Sequence, residues 1–340
     1  MKGWLDRNWK YLMAPAVALC VASICWFVDT GLFLVMPGDS VDTTSMVKVP
    51  SSASKKGTGR LFVVTVYSSP ANVDEWLFGH VWPHARLVPA NTQLPPNTTF
   101  ERFQHLEEAM MQDSQTTAKV VAMRQVGYQV TEHGQGAVID AVQKGSAAER
   151  AGLQKGDLIT AVDGQKVDIA QGLVDVLASR RPGTTVTLTI KPNNSDSDKQ
   201  LTAVLGARPD DPARSLLGVT PLTDRPTYEF PVQVNIDSRG IIGPSAGLVL
   251  TLSILQALSP ADITRGHDIA ATGTIDLSGT VGPIGDVEDK VLAAQGHAEY
   301  FLVPKDDYAA AKGAASSINV VEIDTIQQAS QFLEQLASRK

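Results

Sequence analysis

Gly243-Pro244-Ser245-Ala246-Gly247, followed by the mainly apolar Leu248 to Leu258, sets a serine between glycines at the head of a helical run. The pattern predicts a strand over 232–236, a glycine-containing loop, and a helix over 245–258. Ala246 and Gly247 are small enough to let another backbone approach, as an extended substrate must. A serine at a helix start lies beside N–H groups without helical acceptors and at the positive end of the helix dipole. Those features steady an oxyanion, and the Ser245 amide is the expected donor because Pro244 has no N–H. Serine is also a common N-cap at this position, so this stretch alone supports two readings.

The second informative stretch is Gly282-Pro283-Ile284-Gly285-Asp286-Val287-Glu288-Asp289-Lys290. Residues 269–275 (IAATGTI) read as a strand, and 279–285 as a further strand and turn. Asp286 then reads as the N-cap of a helix continuing to Gln295, with Lys290 in its second turn before Val291-Leu292-Ala293-Ala294. A lysine on an apolar helix loses water, which disfavours the ammonium form and suits it to take a proton from a serine. Ser245 and Lys290 are the candidate catalytic residues, with Gly243, Pro244, Ala246 and Gly247 shaping the turn.

Upstream, Gly136 to Val142 reads as a strand, Gly145-Ser146-Ala147-Ala148-Glu149-Arg150-Ala151-Gly152-Leu153 as a short helix closed by glycine, and Gly156 to Gly164 as a strand ending in an Asp-Gly turn. A helix over 171–180 and a strand over 184–190 follow, and Asn193 to Gln200 forms a polar hairpin tip. This succession resembles a PDZ domain, drawn at residues 124–210, with Arg208-Pro209-Asp210-Asp211-Pro212 as its boundary. The resemblance implies binding of extended peptides or C-terminal tails by strand addition. Val126-Gly127-Tyr128 is the candidate carboxylate-binding loop, a plain turn being the other reading.

Residues 211–340 resemble the proteolytic domain of the Lon family, whose signatures are Gly-Pro-Ser-Ala-Gly and a Thr-Gly, Gly-x-Val, Pro-(Ile/Val)-Gly…Lys series. By this resemblance Ser245 is the nucleophile, Lys290 its dyad partner, and Thr272 a hydroxyl placed to hydrogen-bond the lysine amine. The chain departs from the pattern at Ile242, where many Lon proteases carry an acid, at Thr274, and at Asp286 and Glu288, which stand for a glycine and a lysine.

Residues 11–28 carry no charge and would span about 27 Å as a helix, near the roughly 30 Å of a bilayer core. Leu32 to Met36 continue the apolar character, so a single-pass anchor is expected over 11–36, a cleaved signal peptide being the rival reading. Lys2, Arg7 and Lys10 place the N-terminal residues 1–10 in the cytoplasm and the rest outside. Residues 37–60, rich in Pro, Ser, Thr, Gly and Lys, read as a linker. Residues 61–123 hold a strand at 61–67 and a helix from 99 or 101 to 125, and are expected to support the ectodomain. The two cysteines, Cys20 and Cys25, both fall in the apolar run, and an otherwise cysteine-free chain suits an extracytoplasmic domain.

A net charge of −7 without Lys/Arg-rich runs argues against nucleic acid, and the six histidines show no metal-type spacing. No Gly-x-x-x-x-Gly-Lys-Ser/Thr phosphate loop occurs, so no ATP and no cofactor are expected. The fold expected is α+β: a transmembrane helix, a PDZ domain and a Lon-type proteolytic domain. Together these features resemble the bacterial membrane-anchored, PDZ-containing Lon-like proteases. The function expected is an ATP-independent serine endopeptidase of unfolded protein or peptide substrates, on the outer face of a bacterial membrane, with self-association implied by resemblance. The alternatives are a non-catalytic PDZ adaptor and a latent protease opened by peptide binding.

Overall fold

The computed structural model describes residues 26–50, 58–195 and 197–337. The chain forms two compact units, one drawn from the chain up to Tyr128 and from Val232 onward, the other being Gln129–Pro231. The second is therefore an insertion in the first. Each is described by itself.

The first unit begins with strand β1 (Asp29–Asp42), strand β2 (Leu61–Asn72), helix α1 (Val73–Val81), strand β3 (Arg86–Pro89) and the long helix α2 (Phe100–Gln125). β1 pairs antiparallel with β2 and with β3. Residues 29–36, expected in an anchor, and 37–42, expected in a linker, are instead this strand. Phe33, Leu34 and Val35 are all buried, and a strand covered on both faces reads as a continuous apolar run that blends into the stretch before it. Residues 11–25 of the expected anchor, with Cys20 and Cys25, lie outside the described residues. Among the described residues no helix is long and apolar enough to cross a membrane.

The inserted unit contains strand β4 (Ala137–Val142), helix α3 (Ala147–Ala151), strand β5 (Leu158–Val162), helix α4 (Ala170–Ala178), and strands β6 (Thr185–Lys191), β7 (Lys199–Val204) and β8 (Val219–Thr223). They form an antiparallel sheet in the order β7-β6-β5-β4-β8. The local signals act as their chemistry predicts. Ser146 caps α3 by accepting the Glu149 N–H, and Gly152 ends it in the left-handed region. Ile139, Ile159, Leu173, Leu188, Ile190 and Leu205 are among the largest members of the core. The unit continues past the boundary expected near residue 210, because β8 pairs with β4 (Val219 opposite Val142) and completes the sheet.

The chain then returns to the first unit through helix α5 (Gly247–Leu258), strand β9 (Ile269–Ala271), helix α6 (Val287–Ala294), strand β10 (Tyr300–Pro304), helix α7 (Tyr308–Ala314), strand β11 (Asn319–Ile323) and helix α8 (Ile326–Gln335). Its sheet runs β11-β10-β9-β2-β1-β3, with β11, β10, β9 and β2 mutually parallel. Residues 61–123 are thus part of this unit: β2 lies beside β9, Leu61 opposite Ile269. Every residue of α5 from Gly247 to Leu255 is buried, as an all-round apolar helix must be, and α2 packs against it. α6 lies on the sheet through Val287, Val291 and Ala294, against Phe62, Ala270 and Phe301.

Candidate active site

Ser245 sits in a one-turn 3-10 segment, Pro244–Ala246, which leads into α5. The helix itself starts at Gly247, two residues later than expected. The residue capping α5 is Ala246, and no side chain caps the helix. The serine hydroxyl is therefore not used as a cap and remains available for chemistry.

The backbone of this turn is fixed from two sides. From α2, the Glu107 carbonyl accepts the Gly243 N–H at 3.0 Å and Ser114 Oγ donates to the Pro244 carbonyl at 3.1 Å. From the segment after β9, the Gly273 N–H and Thr272 Oγ1 both donate to the Ser245 carbonyl, at 2.8 and 3.2 Å. Leu248 N–H returns a bond to the Gly273 carbonyl at 3.0 Å. Close approach explains the small residues. Gly243 has φ +91°, and a Cβ there would lie 2.6 Å from Glu107 Oε2. A Cβ at Gly247 would meet Ile275 Cγ2 and Ser114 Oγ, each at 2.9 Å. Ala246 is buried.

The strand expected over 269–275 is broken at Thr272-Gly273, where Gly273 takes φ +149°. That break turns the backbone toward Ser245. Thr272 is fully buried, and its hydroxyl bonds the Ser245 backbone. Among the described residues it makes no hydrogen bond to Lys290, the contact that the resemblance implied.

Lys290 is 6% exposed in the first turns of α6. Burial brings its pKa down to about 8, against the pull of Asp286, Asp307 and Glu107, whose negative charges favour the ammonium. Among the described residues its amine makes no hydrogen bond or ion pair. A lysine this poorly solvated and unpaired is neutral in a useful fraction of molecules near neutral pH. Ser245 and Lys290 line the same cavity, of about 1050 Å³, together with Phe103, Glu107, Ile242 and Pro283.

Asp286 precedes α6 as expected, but its side chain does not cap the helix. Its backbone is left-handed (φ +52°, ψ +41°), a conformation that glycine adopts most easily and that aspartate tolerates better than most residues. Its carboxylate is taken instead by Arg86 of β3, whose Nη2 bonds Asp286 Oδ1 at 2.9 Å and also Asp289 Oδ2. Asp289 is 2% exposed, and burial pushes its carboxyl pKa up while the guanidinium opposes that shift. Arg86, Glu107 and Ser114 were all missed by sequence reasoning. They come from the segment read only as support, and nothing local links them to Ser245 or Lys290.

Val126-Gly127-Tyr128 does not form a free carboxylate-binding loop. The Gly127 N–H donates to the Arg124 carbonyl at 3.1 Å and the Tyr128 N–H to that of Met123 at 2.9 Å, with Gly127 at φ +87°. These groups close the C-terminus of α2, so their N–H donors are already spent. Among the described residues no group of three or more His, Cys, Asp or Glu is placed to hold a metal.

Comparison with known proteins matches a domain family to each of the two units. Residues 237–337 match the Lon protease (S16) C-terminal proteolytic domain, and residues 125–202 match the PDZ domain. Lon protease 2 of Desulfotalea psychrophila is 36% identical over 95 residues, 27% of this chain and 12% of the relative. Lon protease 2 of Thermus thermophilus is 49% identical over 53 residues, 16% of this chain and 6% of the relative. The chain thus spans about a tenth of the length of the curated relatives it matches. The PDZ domain of the SdrC-like protein from Listeria monocytogenes aligns at 27% identity and TM-score 0.23, covering 26% of this chain and 87% of that structure. The chain carries a Lon-type S16 proteolytic domain and a PDZ domain in a mixed α+β architecture.

Proposed function

We propose that the protein is a serine endopeptidase in which Ser245 and Lys290 act as a dyad, without ATP. The observation that carries this reading is a buried, unpaired lysine whose pKa falls to about 8, opening on the cavity that also holds a serine free of any capping role. Neutral Lys290 takes the Ser245 hydroxyl proton as Oγ attacks the scissile carbonyl carbon. The oxyanion forms beside the first turn of α5, where the Ser245 N–H has no helical acceptor. The tetrahedral species then collapses: the C–N bond breaks and the Lys290 ammonium protonates the departing amine. Water attacks the resulting ester, giving its proton to the same lysine, and the serine is restored.

The turn that presents Ser245 is held by bonds from Thr272, Gly273, Glu107 and Ser114, which supports pre-organised geometry over induced assembly. Thr272 acts on the nucleophile's backbone in this reading. The PDZ unit supplies peptide recruitment, and with no phosphate loop in the 340 residues the substrates are unfolded chains or tails. The uncharged run over 11–28, preceded by Lys2, Arg7 and Lys10, supports tethering by a single membrane helix, with both units on the outer face of a bacterial membrane.

The test is cleavage of casein by the purified protein, its Ser245→Ala form and its Lys290→Ala form. Loss of cleavage in both variants, with unchanged circular dichroism, is the expected result. Cleavage retained by either one would overturn the dyad.

A further inference from the structure

The catalytic cavity holds a carboxylate that the serine–lysine mechanism does not use. Glu107 belongs to α2, far from the signature stretches in sequence and outside the matched residues 237–337. Its main-chain carbonyl holds Gly243, two residues before the nucleophile. Its side chain lies over that same glycine, so near that a Cβ on Gly243 would come within 2.6 Å of Oε2. Among the described residues the carboxylate has no hydrogen-bond or ion-pair partner, although it is partly buried and lines the cavity with Lys290. A carboxylate withdrawn from water without a partner is unfavourable by itself. Its position becomes intelligible once a positive charge appears opposite it.

That charge arises in the reaction itself, when Lys290 takes the serine proton. We propose that Glu107 is the third member of the site, a positioning residue whose negative charge stabilises the Lys290 ammonium as it forms. This rests on the serine–lysine reading above. The carboxylate acts through the lysine, as a fixed charge across the cavity, and also holds the nucleophile turn through its main chain. Burial works against the charge on both groups, and their mutual attraction opposes it at each, lowering the Glu107 pKa and raising that of Lys290.

Other charges face the lysine, and they define the controls. Asp286 precedes it on its own element, and Asp307 approaches from the turn after β10. Arg86 of β3 holds Asp286 and the neighbouring Asp289. Arg86 thus offsets part of the acidic field from the α6 side; Arg239 and Lys290 are the cations that line the cavity with Glu107, and the charge of Lys290 acts on it.

The experiment measures the Lys290 pKa directly, by trace labelling with acetic anhydride across pH and peptide mass spectrometry, in wild type, Glu107→Gln and Glu107→Asp full-length protein. Removing the anion lowers the lysine pKa, so in Glu107→Gln the labelling midpoint moves down, by on the order of half a pH unit. The acid limb of kcat/KM moves down with it, while Glu107→Asp keeps most of the wild-type midpoint. A midpoint that stays put or rises in Glu107→Gln overturns the proposal, even if activity falls, because a purely structural role would leave the lysine's protonation alone. Failure of the dyad is recognised separately: Lys290→Ala would then remain active whatever the labelling midpoint does.

Discussion

The Ser245 carbonyl accepts the Gly273 N–H at 2.8 Å, which ties the Pro244–Ala246 turn to the end of strand β9. The Thr272 hydroxyl reinforces this at 3.2 Å, so one carbonyl takes two donors from adjacent residues. The turn cannot rotate without breaking both bonds, so the Ser245 backbone is held to the sheet. Gly273 is the only residue type that accepts this geometry easily. A Cβ there would lie 2.6 Å from Val281 Cγ1, and its φ is +149°. Gly273→Ala should therefore cost about 2 kcal/mol of stability, read by urea unfolding, and most of the peptidase activity. Unchanged stability with wild-type cleavage would contradict the close packing described.

Thr272→Val tests the weaker of the two bonds. The shape is kept, Thr272 is buried, and only the donor to Ser245 is lost. A loss of about 1 kcal/mol is expected, with kcat falling and KM little changed, because the bond positions the nucleophile and not the substrate. A change confined to KM would point to a substrate contact instead.

Ser245→Ala should remove cleavage but leave stability within about 0.5 kcal/mol of wild type. A serine that capped α5 would cost about 1 kcal/mol on the same change. Thermal unfolding of the two proteins distinguishes these outcomes, since the hydroxyl caps nothing.

Lys290 imposes a pH dependence on both rate and stability. Activity should rise as pH passes through about 8, where the lysine becomes the neutral base. The folded pKa lies below the unfolded 10.5, so between these values the unfolded chain binds the additional proton. Stability therefore rises with pH from about 8 to 10.5, and below 8 the full cost of the buried ammonium is present, on the order of 3 kcal/mol. Lys290→Met should be inactive, more stable than wild type at pH 7, and free of that rise. Chemical denaturation at pH 7, 8.5 and 10 measures it.

Arg86→Leu leaves Asp289, at 2% exposure, without its cation. A loss of about 2 kcal/mol is expected, partly restored by adding Asp289→Asn, which removes the charge left unpaired. A double-mutant cycle followed by urea unfolding gives the coupling, and simple additivity of the two changes would show that the pair contributes nothing.

The inserted PDZ unit was legible almost element by element, because its caps and turns depend on neighbours in sequence: Ser146 with Glu149, Gly152 at a helix end, Asp163-Gly164 at a hairpin. Its far boundary was not, since β8 belongs to it only by pairing with β4. β1 was misread for a related reason. A strand buried on both faces shows no alternation, so Leu32 to Met36 looks the same in a bilayer or in the middle of a sheet. The Asp286 cap failed because a distant arginine outcompetes the local N–H groups for its carboxylate.

Sequence alone determined the candidate serine and lysine, the order of the helices around them, and the presence of two kinds of unit, because each depends on residue type and short-range spacing. Tertiary structure decided that the segment before the insertion completes the sheet of the first unit and walls its cavity. It also decided that Thr272 serves the serine's backbone, that Arg86 binds the acids beside Lys290, and that Glu107 stands in the cavity with it. Those relationships join residues tens to hundreds of positions apart, and only the burial and pairing of whole elements bring them within reach of one another.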